Sequence, residues 1–142
     1  MISVGINEDT VEAELEVKTY DIDSAGHVNN IVYVRWLEDL RTVIIEHIFD
    51  FGKIIAEGYY PVVISTTIRY RRQIKLFDQP TGSIRLAGVI LGIFILKSEI
   101  TVNESLCASA EQRCVIMRLC DSKILNGDDV KCMAKITIPV ER

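Results

Sequence analysis

No stretch of this chain approaches the roughly 18 uninterrupted apolar residues that a membrane-spanning helix needs. The longest apolar run, Val89 to Leu96, contains Gly92 and is followed by Lys97, so it reads as a strand, and no membrane insertion is expected. Basic charge is also in short supply. Sixteen Lys and Arg against 20 Asp and Glu leave a net charge of −4, which excludes the positive field of a nucleic-acid binder. Histidine is limited to His27 and His47. The four cysteines, Cys107, Cys114, Cys120 and Cys132, form no Cys-x-x-Cys pair and lie far from both histidines in sequence. Metal-ligand spacing is therefore missing and no metal is expected; the thiols read as small apolar core residues of a protein kept in a reducing cytoplasm. Met1 to Thr10 contains Glu8 and Asp9 and no basic segment, so no signal peptide is expected. Repeats, linkers and low-complexity segments are missing too, and 142 residues suit one domain spanning 1–142.

What is present is a sharp change of period. Val11 to Lys18 alternates apolar with charged residues, the pattern of a half-buried strand. From Asn30 to about Phe49 the period becomes helical: Ile31, Val34, Leu37, Ile44, Ile45 and Ile48 recur at three- and four-residue steps, and Gly52 marks the end of the helix or its last irregular turn. Arg35–Asp39 and Glu38–Arg41 have the spacing of ion pairs. Lys53 to Tyr60 reads as a short helix and turn. Strands follow at Val62–Arg71, Ser83–Ile90, Phe94–Val102, Leu106–Leu119 and Cys132–Ile138, with Asn126-Gly127-Asp128-Asp129 as one of the turns between them. One strand, one long helix and a run of strands is an α+β order, satisfied by an antiparallel sheet wrapped around a central helix.

Chemistry concentrates at the junction of strand and helix, between Tyr20 and Asn30: Asp21, Asp23, Gly26, His27, Asn29 and Asn30. Gly26 can take positive φ in a turn. Asn29 or Asn30 is a plausible N-cap, and Asn29, Asn30 and Ile31 would offer backbone N–H groups at the helix start. A carboxylate beside free N–H donors suits an electrophilic carbonyl, because the donors and the helix dipole stabilise developing negative charge. The competing reading makes Asp21 and Asp23 ordinary loop residues closing Asx turns.

The pattern Tyr20-x-x-Asp23-x-x-Gly26-His27-Val28-Asn29-Asn30-x-x-Tyr33-x-x-Trp36-x-Glu38-x-x-Arg41 resembles that of hot-dog-fold thioesterases of the 4-hydroxybenzoyl-CoA thioesterase type. His27-Val28-Asn29-Asn30 is similar also to plant acyl-ACP thioesterases. The resemblance implies a hot-dog fold and hydrolysis of an acyl-CoA thioester, with Asp23 as nucleophile or general base and the Asn30 amide polarising the carbonyl. It implies no cofactor. Its plant branch implicates an asparagine side chain, Asn29 or Asn30, and His27 either touches substrate or orders the loop. Glu38 is a rival carboxylate, since a second group of hot-dog enzymes uses a helix glutamate. Ser65, Thr66 and Thr67 fall on a strand that passes the thioester in that family, and Tyr33 either packs the helix or lines the acyl cavity.

Arg69, Arg71, Arg72 and Lys75 form the densest basic stretch, with Arg69 and Arg71 on one face. They suit coenzyme A phosphates or the acidic surface of an acyl carrier protein, and equally a charged strand end. The family further implies a homodimer, commonly doubled to a tetramer, and the apolar strand Leu86–Leu96 would be over-exposed in a lone sheet. Three alternatives stay open: an acyl-ACP thioesterase, a hot-dog hydratase or dehydratase, and a non-catalytic thioester-binding protein.

Overall fold

The computed structural model describes residues 4–7 and 9–138. One antiparallel sheet curls around one long helix. Its strands are β1 (Val4–Ile6), β2 (Thr10–Glu14), β3 (Tyr59–Tyr70), β4 (Thr81–Ile90), β5 (Ile93–Val102), β6 (Ser105–Arg118) and β7 (Lys123–Ile124). The order across the sheet is β1-β2-β4-β5-β6-β3, with β7 paired to the end of β6. The helices are α1 (Asn30–Ile48), α2 (Phe51–Ala56) and α3 (Gly127–Met133). This is the expected hot-dog architecture.

Helix α1 forms because Asn29 caps it and a continuous stripe can be buried. Val32, Tyr33, Trp36, Leu37, Leu40, Ile44, Ile45 and Ile48 face the sheet. Each large apolar side chain so buried contributes about 1.5–3 kcal/mol relative to exposure. The first turns depart from the expected stripe: Ile31 and Val34 are exposed, because the larger Tyr33 and Trp36, packed edge-to-face at 5.4 Å, take the sheet side. The helix stops at Phe49, whose backbone turns extended, and not at Gly52, which lies inside α2 after the Asp50 cap.

The core is divided along α1. Its C-terminal half rests on Phe94, Leu96, Cys114 and Ile116 in one cluster; its N-terminal half rests on Leu15, Val28, Ile74, Ile100, Cys107 and Ala108 in another. Burial pushes the Cys114 thiol up to about 11. Cys107 and Cys114 are thus core residues as expected, whereas Cys120 and Cys132 are exposed.

Three further expectations change. The apolar stretch Leu86–Leu96 is not one strand but the end of β4, a turn and the start of β5; Leu86, Phe94, Ile95 and Leu96 are buried within one chain by the curl of the sheet, and the exposed apolar side chains are Ile90 and Leu91 at the turn. Cys132–Ile138 is not a strand. The Asn126 side chain accepts from the Asp129 N–H at 2.9 Å and starts α3, after which Ala134 makes only a single bridge to Phe49. The same Asn-Gly-Asp-Asp signal that reads as a turn serves here as a helix cap.

The β4–β5 hairpin turns through Leu91 and Gly92, both at positive φ, the geometry a two-residue loop requires. A Cβ at Gly92 would stand 2.3 Å from the Leu125 carbonyl oxygen. Gly92→Ala is therefore expected to lower stability by about 2 kcal/mol or more, read as a shifted urea midpoint at constant slope. An unchanged midpoint would show that the contact between this hairpin and the α3 entry contributes nothing to the fold.

Candidate active site

The loop from Ile22 to Val28 is closed at both ends by backbone. The Ile22 and Val28 main chains form an antiparallel bridge, and the Val28 N–H donates to the Ile74 carbonyl at 2.8 Å. Inside the loop the Asp23 N–H donates to the His27 carbonyl at 2.8 Å and the Gly26 N–H to the Asp23 carbonyl at 3.0 Å, with Gly26 at positive φ. The side chain of Val28, buried against the α1 cluster, holds the loop down.

Asp21 anchors this arrangement. Its carboxylate is 3% exposed. One oxygen accepts from Arg35 at 3.0 Å and the other from the Lys18 N–H at 2.8 Å. Its carbonyl accepts from the Asn29 N–H at 2.8 Å. Arg35 thus pairs with Asp21 and not with Asp39, the residue one turn along that its spacing suggested; a buried carboxylate gains more from the guanidinium than an exposed one does.

Asp23 is exposed and divided in function by its own loop. Oδ1 accepts from the Ala25 N–H at 3.0 Å and the His27 N–H at 3.2 Å, which is the Asx turn. Among the described residues no donor reaches Oδ2. The turn reading and the chemical reading are therefore compatible: one oxygen orients the group and the other is presented to solvent. The His27 backbone is fully engaged in the loop, and its ring is half-buried.

The helix start offers fewer donors than the sequence suggests. The Asn29 N–H is taken by Asp21, and the Ile31 N–H is capped by Asn29 Oδ1 at 3.1 Å. The Asn30 N–H, at the first helical position, meets no acceptor among the described residues. It stands at the positive end of a 19-residue helix. Tyr70, given no role from sequence, arrives at the end of β3; its hydroxyl donates to the Asn30 carbonyl at 3.5 Å, and its ring packs edge-to-face on Tyr33 at 5.1 Å. Burial pushes the Tyr33 phenol up to about 12.

The remaining expected residues divide between the sheet faces. Thr66 lies on the inner face, where its Oγ1 accepts from Gln112 Nε2 at 3.2 Å. Thr67 and Arg69 instead line an outer-face cleft of about 490 Å³ with Arg85, Lys97, Glu99 and Glu111. Ser65, next to the bulge at Ile64, shares the outer parity. Arg71 lies beyond the strand, its N–H bonded to the Cys107 carbonyl at 2.8 Å. Within one protomer Arg69 therefore faces this cleft and not the Asp23 loop. Glu38 is exposed and paired with Arg41, whose side chain is only 13% exposed, at a hollow of about 330 Å³ lined also by Phe51, Tyr60, Pro61 and Val63. Desolvation lowers the Arg41 pKa.

Two buried polar side chains went unremarked in the sequence. Ser98 on β5 and Gln112 on β6 interrupt inner-face rows that are otherwise apolar: Phe94, Leu96, Ser98, Ile100 on one, and Ala108, Ala110, Gln112, Cys114, Ile116 on the other. Strand parity alone makes both visible once the strands are assigned.

Comparison with known proteins follows the same lines. Residues 17–131 match the family model of the thioesterase-like superfamily. The chain is 28% identical over 95 residues to the long-chain acyl-CoA thioesterase FadM of Escherichia coli, covering 63% of this chain and 72% of that protein. Among solved structures it superposes on the YbaW probable thioesterase of Escherichia coli with a TM-score of 0.79 and 27% identity, over 86% of this chain and 94% of that one. The fold is shared with SAV2348 of Staphylococcus aureus, solved in complex with CoA, at a TM-score of 0.76 and 13% identity over 90% and 82% of the two chains. The match covers the loop, α1 and the strands that carry the site, and the chain belongs to the thioesterase-like superfamily as a hot-dog-fold thioester hydrolase.

Proposed function

We propose that this protein hydrolyses acyl-CoA thioesters to free acid and CoA, with Asp23 as the reacting carboxylate and the Asn30 N–H as the oxyanion donor. The observation that carries this reading is the pairing of one uncommitted carboxylate oxygen, Asp23 Oδ2, with one uncommitted N–H at the helix start, joined by a loop whose other polar backbone groups are largely engaged within the protein. A thioester carbonyl is already activated, so an ionised carboxylate suffices either to attack it or to deprotonate a water that does. In both routes the carbonyl oxygen becomes an oxyanion facing Asn30, the C–S bond breaks, the CoA thiolate takes a proton, and one water is consumed. A single well-placed donor contributes about 3 kcal/mol to such a transition state.

The unit that acts is a homodimer formed through β3. This strand is 12 residues long, stands at the edge of the sheet and exposes Tyr60, Ile64 and Tyr70; a long edge of this kind requires a cover. Antiparallel pairing of two copies of β3 about Ser65 sets the Tyr70 end of one protomer beside the Tyr60 end of its partner. The Asp23 loop then faces the hollow beside Glu38 and Arg41 of the other chain, which supplies the far wall of the cleft. Two such dimers joined through the charged outer faces form the tetramer, and Arg69 belongs to that face.

Release of free CoA from a panel of aromatic, short and long acyl-CoA thioesters tests the chemistry. Asp23→Asn is expected to reduce kcat by at least about 100-fold while leaving the thermal midpoint in place. Equal turnover would transfer the role to Glu38.

Asn30→Pro tests the donor. Proline is favoured at the first helical position and the preceding Asn29 is already extended at φ −62°, ψ 140°, so the substitution deletes the N–H and spares the helix. A loss of about 100-fold or more in kcat/KM is expected, against a far smaller loss for Asn30→Ala, which keeps the N–H. Equal losses would assign the role to the side chain.

Ile64→Arg on the β3 edge is expected to convert a dimer into a monomer by light scattering and to abolish turnover with it. A monomeric wild type, or a fully active monomeric variant, would refute the shared cleft.

A further inference from the structure

The segment between β3 and β4 holds an aromatic ring out in water. Arg71 and Arg72 leave the strand with both N–H groups on the Cys107 carbonyl, at 2.8 and 3.1 Å. Ile74 is then fully buried in the cluster under the start of α1, and Pro80 returns the chain to the sheet by accepting from the Leu15 N–H at 2.9 Å. Between these anchors Lys75 to Asp78 form a turn closed twice. The Asp78 N–H donates to the Lys75 carbonyl at 3.1 Å, and the Lys75 N–H donates to Asp78 Oδ2 at 2.9 Å. Phe77 stands on that turn and, at 92%, is the most exposed large apolar side chain among the described residues. Leaving a phenyl ring in water forfeits the burial that usually justifies it, and here a doubly bonded turn keeps it there.

The ring's neighbours in the segment are basic. Arg71, Arg72 and Lys75 are exposed. Among the described residues none of the three has a carboxylate at ion-pair distance, whereas Arg35, Arg41, Arg113 and Arg118 each pair with one. The one carboxylate of the segment, Asp78, is spent on the turn. This local positive charge sits in a protein of net charge −4. An anionic surface therefore attracts this end and repels the rest, which sets the orientation of approach. The segment also adjoins the reacting loop, since the Val28 N–H donates to the Ile74 carbonyl at 2.8 Å, three residues before the ring.

Building on the thioesterase reading, we propose that Phe77, with Arg71, Arg72 and Lys75, docks this enzyme on an anionic lipid surface, so that the Asp23 loop meets its acyl thioester at the bilayer interface. An aromatic ring sits favourably at the level of the headgroups, and each Lys or Arg beside it gains from anionic lipid within a Debye length. Such attachment needs no spanning segment, and no helix among the described residues is long and apolar enough to supply one. Two other occupants fit less well. A nucleotide is held in a concavity that covers most of its surface, but Phe77 projects from a turn, and the clefts beside Arg69 and Glu38 include no residue of the segment. An acidic protein would pair with the cations and leave the ring without a use. A bilayer surface yields to a projecting ring and requires no pocket. The substrate supplies the reason for docking: an acyl chain on a charged carrier is an amphiphile, and it partitions to such an interface more strongly with each added methylene.

Flotation with vesicles reads the docking without any turnover. Wild type is expected to float with phosphatidylcholine vesicles containing a quarter of phosphatidylglycerol at least about fivefold more than with phosphatidylcholine alone, and to be released as salt is raised. Phe77→Ser and, separately, Arg72→Glu/Lys75→Glu are each expected to lose most of this binding with the thermal midpoint retained. No binding, equal binding to both compositions, or variants that float like wild type overturn the proposal. A short acyl-CoA offered without vesicles separates the other uses of the ring. Phe77→Ser is expected to hydrolyse it with wild-type kcat and KM. A KM raised about tenfold would assign the ring to the carrier nucleotide, and a reduced molar mass would assign it to a subunit contact; either overturns the docking. A long acyl-CoA loaded into the anionic vesicles is expected to be hydrolysed at least about fivefold faster by wild type than by Phe77→Ser, and equal rates would overturn delivery from the bilayer. Should no thioester be hydrolysed, the thioesterase reading fails independently and flotation alone decides the docking.

Discussion

The buried carboxylate of Asp21 is the contact on which the site depends. It ties three segments together: the end of the first long extended segment through the Lys18 N–H, the second turn of α1 through Arg35, and, by its own carbonyl, the residue that caps the helix. A carboxylate taken out of water is stable only when its lone pairs are filled, and here a guanidinium and an N–H fill them. Because the side chain is pinned, the chain must turn immediately afterwards. Asp23 falls on that turn, and Asn29 arrives in register to cap α1. Asp23 and Asn30 take no part in this anchor, and each keeps one polar group that the fold does not use, Asp23 Oδ2 and the Asn30 N–H.

The same division runs along the helix. The C-terminal half of α1 packs on a dry, close-fitted layer around Phe94, Leu96 and Ile116, while the N-terminal half covers a layer that includes alanines, a tyrosine hydroxyl and the orphaned Ser98. Stability is concentrated at one end and imperfection at the other, next to the loop. Unpaired polar atoms in the well-packed half would only weaken the fold. The long edge of β3 repeats this pattern, since an uncovered strand is a hazard to a monomer and a wall to a dimer.

Much of this was legible in the sequence where the signal is local. The alternation of Val11–Lys18, the loop chemistry from Asp21 to Gly26, the asparagine cap and the strand positions other than Cys132–Ile138 follow from side-chain period and turn preference, and they recur in the structure within a few residues. What was not legible depends on contacts distant in sequence. Arg35 could be matched to Asp39 by spacing, but only the folded loop brings Asp21 to it. Ile31 and Val34 fit a helical period as well as Val32 and Tyr33 do; which of them is buried depends on the face that α1 turns to the sheet. Asn126-Gly127-Asp128-Asp129 suits a turn and a cap equally, and α3 wins because its Val130 finds a place in the core. Arg69 and Arg71 share a parity, yet β3 ends between them, so the face that the alternation implied stops with the strand.

The economy of the proposed oxyanion site follows from the capping problem. A helix start has about four donors to dispose of, and each one bonded internally strengthens the fold while removing a donor from chemistry. Here Asn29 and Ile31 give theirs to the protein and Asn30 keeps its own. One donor with a helix dipole behind it is a modest electrophile-stabilising device, too weak to be matched to an unactivated amide without a stronger nucleophile than a carboxylate. A thioester asks for less, because its carbonyl is already electrophilic and its thiolate leaves readily. The single free N–H and the single free carboxylate oxygen therefore suit the same class of substrate, and each on its own would be too little for a more resistant bond.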